Sequence, residues 1–266
     1  MPAAQISAVP APALLLREER DGIATLTLNR GEARNALSMA LMAALQDAFD
    51  AIAAESGVRA VILRGAGPAF CAGHDLKEMR GAGPAAVEAV FRACSRLMLT
   101  ITRLPQPVIA QVHGIATAAG CQLVATCDLA LCAADARFAT PGVQIGLFCS
   151  TPMVALSRAV GRKAALEMLL LGEPIDAAEA HRIGLVNRVV PGTELEGAAR
   201  AMAERIAAKS RRVLALGKAA FAAQGALDLE AAYAYAAGVM TRNMMLDDAA
   251  EGIDAFLQKR APRWAD

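Results

Sequence analysis

Leu14 to Glu18 runs from apolar into charged positions, and over Gly22 to Asn29 the residues Ala24, Leu26 and Leu28 alternate with Ile23, Thr25 and Thr27. A period of two predicts a pair of strands. The period changes after Ser38: Leu41, Leu45, Phe49 and Ile52 fall on one stripe at helical spacing, with Ser38 placed to cap the helix. Ala60 to Leu63 is a continuous apolar run, as a strand carries when both of its faces are covered. A helix is predicted from about Ala85 to Leu104, a strand over Val108 to Val112, a short helix over Ala116 to Thr126 and a strand over Asp128 to Cys132. This strand–helix–strand succession predicts parallel pairing.

From about Thr151 the pattern is nearly all helical. Asp176 and Glu179 have the spacing of a capping box for a short helix that Gly184 ends, and Leu185 to Val190 reads as a last strand. Leu195, Ala198, Met202 and Ile206 make another stripe, followed by helices around Val213 to Phe221, Leu229 to Met240 and Ala249 to Leu257. The hexapeptide Arg-Gly-Ala-Gly-Pro-Ala occurs at Arg64 to Ala69 and at Arg80 to Ala85. Nothing around it is self-similar, so it marks two similar loops and not a repeat architecture.

Composition narrows the class. The chain has 266 residues, 27 Lys and Arg against 26 Asp and Glu, and no basic excess with which to neutralise nucleic-acid phosphates. With 56% hydrophobic and 20% charged residues it is not disordered, and so apolar a chain implies surface hidden in an oligomer. Two stretches lack charge, Leu104 to Cys127 and Phe138 to Ser157, but Pro105, Pro107, Gly114, Pro141, Gly142 and Pro152 break them. Neither can cross lipid as one apolar helix, so no membrane partner is expected. Met1 to Leu16 carries no Lys or Arg, and Cys71, Cys94, Cys121, Cys127, Cys132 and Cys149 form no CxxC pair. Reduced thiols, no zinc or other metal site and a cytoplasmic location are the expectations.

Several chemistries are excluded by motif: there is no GxxxxGK[ST], GxSxG or HExxH, and Gly65-Ala66-Gly67 lacks the third glycine of a dinucleotide loop. Two loops remain. Phe70-Cys71-Ala72-Gly73-His74-Asp75-Leu76-Lys77-Glu78-Met79 follows the strand ending at Leu63, and His113-Gly114-Ile115-Ala116-Thr117-Ala118-Ala119-Gly120-Cys121-Gln122 follows the strand ending at Val112. Each passes through small residues into a helix, which leaves backbone N–H groups unpaired at a helix start. Such entries are commonly plain turns; two of them converging on one carbonyl make an oxyanion hole.

These loops, with Asn29-Arg30-Gly31-Glu32-Ala33-Arg34-Asn35-Ala36-Leu37-Ser38 before them, Cys127-Asp128-Leu129 after them, and Glu251-Gly252, Ala255-Phe256-Leu257 and Lys259-Arg260 near the end, resemble the crotonase (enoyl-CoA hydratase/isomerase) family. The motifs run in order from about residue 13 to 264. Gly73 to Glu78, Thr117 to Ala125 and Phe138 to Pro152 are similar to one particular branch of it. The resemblance implies an α/β fold, a crotonase-like spiral of ββα units, with a C-terminal helical trimerisation region. It implies residues 1–12 as a flexible segment, 13–200 as the spiral core and 201–266 as the oligomerisation region of a trimer or dimer of trimers. A coenzyme A thioester, an acyl-CoA, is implied as substrate or ligand, with no permanently bound cofactor. Its thioester oxygen is expected between the backbone N–H groups of His74 and Ala119. Ala33, Arg34, Ala72, His74, Asp75, Leu76 and Lys77 match positions beside the coenzyme, and Phe256 and Lys259 positions at its nucleotide end, reached from a neighbouring subunit.

The chain departs from the family where hydration needs it most. Hydratases of the family use two glutamates, and Gln122 and Gly142 stand at their positions. Neither residue titrates, and loss of one general acid–base group typically lowers a rate 10²–10⁴-fold. The nominal label is enoyl-CoA hydratase of fatty-acid metabolism, with hydration expected to be very weak. Methylmalonyl-CoA decarboxylases of the family carry a similar Gly-His-Asp run, and loss of CO₂ forms an enolate without a base. An enolate-forming decarboxylase using His74 is therefore one alternative, and a non-catalytic acyl-CoA-binding trimer another. The His74 imidazole either serves that chemistry or fills space. Ala118 and Ala119 replace glycines common in the second loop, which is harmless where the backbone is helical and strained where φ is positive. Cys149 and Ser150 are expected to border the acyl pocket without a base that would make either a nucleophile.

Overall fold

The computed structural model describes residues 13–265, so the expected flexible segment 1–12 lies outside the described residues. Strands β1 (Leu15–Arg20) and β2 (Ile23–Leu28) form an antiparallel hairpin, turned by Asp21 and Gly22 at positive φ. Helix α1 (Met39–Ala54) begins where Ser38 accepts the Leu41 N–H and buries the predicted stripe. It returns the chain to β3 (Ala60–Gly65), parallel to β2. A one-turn helix α2 (Leu76–Met79) and the long α3 (Pro84–Arg103) lead to β4 (Val108–Val112), parallel to β3.

The segment predicted as one helix from Ala116 divides in two: a short strand β5 (Ile115–Thr117), then α4 (Ala119–Thr126). Strand β6 (Leu129–Ala133) joins the large sheet beside β4, and β7 (Arg137–Ala139) pairs with β5 in a second, small sheet. Helices α5 (Ser150–Ala159) and α6 (Arg162–Leu171) precede β8 (Ile175–Asp176), α7 (Ala177–Arg182) and β9 (Arg188–Val190). Asp176 accepts the Glu179 N–H, while the Glu179 carboxylate turns to Arg182, so only half of the capping box forms.

The large sheet has the order β1-β2-β3-β4-β6-β9 and the small one β5-β7-β8. Isolated parallel bridges Leu37–His74 and Cys71–Ala116 prolong the small sheet, so successive turns visit the large sheet, the small sheet and a helix. The chain is a spiral. One face of the large sheet buries Leu26, Leu63, Val108 and Cys132 under α1, α3 and α4. The other buries Ile23, Ile62, Ile109 and Leu131 under α8 (Leu195–Ala207), whose Ala199 and Ala203 lie against them. The continuous apolar run of β3 is thus covered on both sides, as its pattern predicted.

Helices α9 (Arg211–Gln224), α10 (Leu229–Met244) and α11 (Asp247–Leu257) project from this body. Lys218 of α9 is the fastening: its Nζ donates to the carbonyls of Ile101 and Gln106 and lies 2.6 Å from the Asp128 carboxylate. Burial raises the Asp128 pKa although Lys218 pulls the other way. Large apolar side chains on these helices, Phe221, Leu229, Tyr233, Phe256 and Leu257, are exposed.

Candidate active site

The first loop is held from beneath by Asn35, a residue whose role the sequence reading missed. Its Oδ1 accepts the Arg30 N–H at 2.8 Å, and its Nδ2 donates to the carbonyls of Ala66 and Ala69 at 2.8 and 2.7 Å. It is buried and lies at φ 53, a left-handed conformation that asparagine tolerates better than most residues. Arg30 then reaches the far end of the loop, 3.0 Å from the Asp75 carboxylate. Asp75 also caps α2, so its carboxylate braces the loop, and Glu78 accepts the Met39 N–H. Neither acid is spare to act as a base.

Leu37 donates to the Gly73 carbonyl at 2.7 Å and accepts the Asp75 N–H at 3.1 Å. Such a parallel bridge uses the groups on either side of His74 and turns the His74 N–H away. That N–H has no partner among the described residues, and neither does the N–H of Ala119, the first residue of α4. Two glycines bring these donors together. A Cβ on Gly73 would sit 3.3 Å from the Ala119 nitrogen, and one on Gly120 only 2.1 Å from the Cys71 carbonyl oxygen. The second loop therefore seats its helix start directly on the first. Unpaired N–H groups in this arrangement can receive charge developing on a carbonyl oxygen.

Ala118, at φ 49 and ψ −117, occupies backbone space that normally requires glycine, whereas Ala119 is helical. Of these two alanines, the first is strained and the second is not. Gln122 is buried, and its Oε1 lies 3.8 Å from the Cys94 thiol of α3. Gly142 is the buried residue of an otherwise partly exposed 3-10 turn, Pro141–Ile145, and is walled in. A Cβ there would lie 2.7 Å from the Leu147 carbonyl oxygen and 2.9 Å from the Cys149 sulfur. Position 142, where the resemblance implies a glutamate in hydratases, thus has no vacancy, because residues 147–149 fill it.

The His74 ring meets Phe91 edge-on, with centroids 5.3 Å apart, and its Nε2 is buried without a partner. Desolvation lowers its pKa to about 4, so the imidazole is neutral at pH 7. Phe91 also lines a cavity of about 1080 Å³ along α3, with Val87, Leu99 and Leu104 on its apolar surface. All six cysteines are free, and burial raises the thiols of Cys71, Cys94 and Cys121 to about 12, far from thiolate chemistry at pH 7.

Of the other expected coenzyme contacts, Ala33, Arg34, Leu76 and Lys77 are exposed around the first loop, and the Arg34 carbonyl accepts the Ala72 N–H. Phe256 and Lys259 are not brought to the loops. They lie at the end of α11, whose hydrogen bonds run to Ser210 and to the terminal segment through Arg263 and Ala265. His113 is structural, bonded through Nε2 to the Gly67 carbonyl at 2.8 Å.

The ββα spiral defines a class of protein, and known proteins share it. The profile of the enoyl-CoA hydratase/isomerase family matches residues 18–266, and the chain belongs to that family. The branch marked out by the two loops is enoyl-CoA hydratase domain-containing protein 3. The mitochondrial protein of that name from Rattus norvegicus is 49% identical over 255 residues, 96% of this chain and 85% of that one. The crystal structure of the human protein of that name superposes with a TM-score of 0.92 at 47% identity, covering 95% of this chain and all of that one. An enoyl-CoA hydratase of Mycobacterium smegmatis superposes with a TM-score of 0.93 at 56% identity, over 95% and 99% of the two chains.

One expectation is corrected. The rat, mouse and human relatives, 48–49% identical, are mitochondrial proteins by name, against the cytoplasmic location inferred from cysteines and N-terminal charge. Buried thiols stay reduced in either compartment, so cysteine usage does not discriminate between them. Among the described residues no helix is long and apolar enough to cross a membrane.

Proposed function

We propose that the protein binds acyl-CoA thioesters, with the thioester oxygen held by the N–H groups of His74 and Ala119, and that it does not hydrate enoyl-CoA at hydratase rates. The observation that carries this reading is the pair of unpaired donors on loops fixed in contact by Gly73 and Gly120. Among the described residues of the two loops and the Gly142 turn the proton relay has no substitute: Gln122 is an amide, Gly142 has no room for a side chain, and Asp75 and Glu78 are engaged elsewhere. Each preorganised donor contributes about 3–4 kcal/mol to a developing oxyanion, which is ample for an enolate. The test is calorimetry with butyryl-CoA and crotonyl-CoA, alongside a hydration assay on the latter. Binding with little hydration is expected. Hydration at ordinary family rates, or loss of neither binding nor activity in Gly120→Ala, would sink the reading.

The neutral His74, with Nε2 unpartnered, favours decarboxylation as the reaction to examine. Loss of CO₂ forms the enolate with no base, and only a later proton donor is needed. Release of CO₂ from malonyl-CoA or methylmalonyl-CoA, reduced in His74→Ala, supports it. A panel without turnover leaves the non-catalytic binding protein. The exposed apolar residues of α9 to α11 support self-association as a trimer or dimer of trimers, which would also carry Phe256 and Lys259 to a neighbour's coenzyme. Light scattering gives the assembly size, and a monomer would rule this out.

A further inference from the structure

Gln122 lies one helical turn beyond Ala119, so the two share a face of α4, and a helical side chain leans toward the N-terminus of its helix. The Gln122 amide therefore covers the turn that begins with the Ala119 donor. It is only 4% exposed. Its Oε1 accepts from the Cys94 thiol at 3.8 Å. A thiol hydrogen seeks oxygen, which sets the amide with Oε1 toward α3 and Nε2 on the opposite side. Nε2 has no hydrogen-bond partner among the described residues. An amide N–H without a protein acceptor is left to meet an acceptor on a ligand. Two other polar atoms in these segments, Nε2 of His74 and Oγ1 of Thr140, are buried and unpartnered. Thr140 follows Ala139, whose carbonyl accepts the Ala118 N–H beside the second loop.

A glutamate at position 122 would present an acceptor and a negative charge, whereas the amide held in this orientation presents a donor. We propose that Gln122, oriented by Cys94, selects acyl groups carrying an oxygen acceptor on the β-position, a 3-oxo carbonyl or a malonyl-type carboxylate, over plain saturated or enoyl chains of similar length. Cys94 is a positioning residue, since it acts through Gln122. This inference rests on the proposed thioester site and names the substrate class for it.

The test is calorimetric affinity for butyryl-, crotonyl-, acetoacetyl- and malonyl-CoA. The wild type is expected to favour acetoacetyl- or malonyl-CoA over butyryl-CoA about tenfold, the effect of one well-made hydrogen bond. Preference for acetoacetyl-CoA alone identifies the ketone, and for malonyl-CoA alone the carboxylate. Gln122→Glu and Gln122→Met should both bring the ratio of acetoacetyl- or malonyl-CoA affinity to butyryl-CoA affinity down to about one, with urea unfolding as the control for an intact fold. Cys94→Ala should weaken the preference and Cys94→Ser restore it, because a hydroxyl replaces the thiol donor. Space-filling alone would not favour serine over alanine in an apolar core. Equal wild-type affinity for the four thioesters, or a preference that survives Gln122→Glu, overturns the inference while leaving the proposed site standing. Failure of all four to bind overturns both.

Discussion

Placing glutamates at positions 122 and 142 is the natural experiment on the proposed reading, and the structure says that one half of it fails. A Cβ at position 142 meets the Leu147 carbonyl oxygen at 2.7 Å, the Cys149 sulfur at 2.9 Å and the Cys149 nitrogen at 3.3 Å. The first and third are backbone atoms of a segment tied back to the same turn, since the Leu147 N–H donates to the Gly142 carbonyl at 2.9 Å. They cannot rotate aside as a side chain would. Forcing atoms into a packed interior costs about 1–3 kcal/mol. Gly142→Ala, the smallest such change, should therefore lower unfolding stability by about 2 kcal/mol. Gly142→Glu should cost at least as much and place its carboxylate outside the site. Cys149→Ala removes the sulfur contact and should recover part of the loss, while the contact with Leu147 keeps recovery incomplete. Urea titration of wild type, Gly142→Ala and Gly142→Ala/Cys149→Ala measures this directly. If Gly142→Ala is as stable as wild type, the account of a filled position is wrong.

The strain at Ala118, φ 49 and ψ −117, should be relieved in Ala118→Gly. After the added freedom of the unfolded glycine, a net gain of about 1 kcal/mol is expected in thermal or urea unfolding. Asn35→Ala removes hydrogen bonds to Arg30, Ala66 and Ala69 and leaves alanine at positive φ; a loss of about 3 kcal/mol is expected, with weaker acyl-CoA binding as the first loop loosens. His74 gives a pH signature, because its pKa falls from an ordinary 6.5 to about 4 through burial. A depressed folded-state pKa means that its stability is fully present above pH 6.5 and is lost as pH falls toward 4. Between pH 7 and pH 5 the wild type should lose about 2 kcal/mol more than His74→Gln, and equal losses in urea titrations would contradict the burial of the imidazole.

Legibility in the sequence followed the range of the interactions involved. The stripe Leu41, Leu45, Phe49 and Ile52 and the run Ala60 to Leu63 lie within single elements, so periodicity alone placed α1 and β3. Strands β5, β7 and β8 span only two or three residues, too short to show a period of two, and their partners are distant in sequence. The donor loops could be located by their small residues and by resemblance, but their convergence depends on Gly120 meeting Cys71, 49 positions earlier. Asn35 was visible as part of a motif and not as a staple, because its acceptors belong to a loop some thirty residues on. Gly142 read as a missing carboxylate. That its space is taken by Leu147 and Cys149 is a tertiary fact with no local signature.

The departures from a hydratase are coupled to their surroundings. A glycine and a glutamine standing alone at positions 142 and 122 would leave an empty volume at the first and an amide without fixed orientation at the second. Instead the turn after Gly142 closes over the first volume, and the Cys94 thiol engages the amide at the second. Meanwhile Asn35, Arg30 and Asp75 still clamp the first loop, and the second retains its seat at Gly120 although Ala118 strains it. Each clamp is specific and several are costly to maintain: a residue at unfavourable φ and buried polar atoms without partners both lower stability by about 1–3 kcal/mol. A fold gains nothing from retaining them unless a ligand compensates on binding. The two unpaired N–H groups beside a neutral imidazole and an amide held by Cys94 are therefore what the proposed site requires, one that takes a thioester and activates no water.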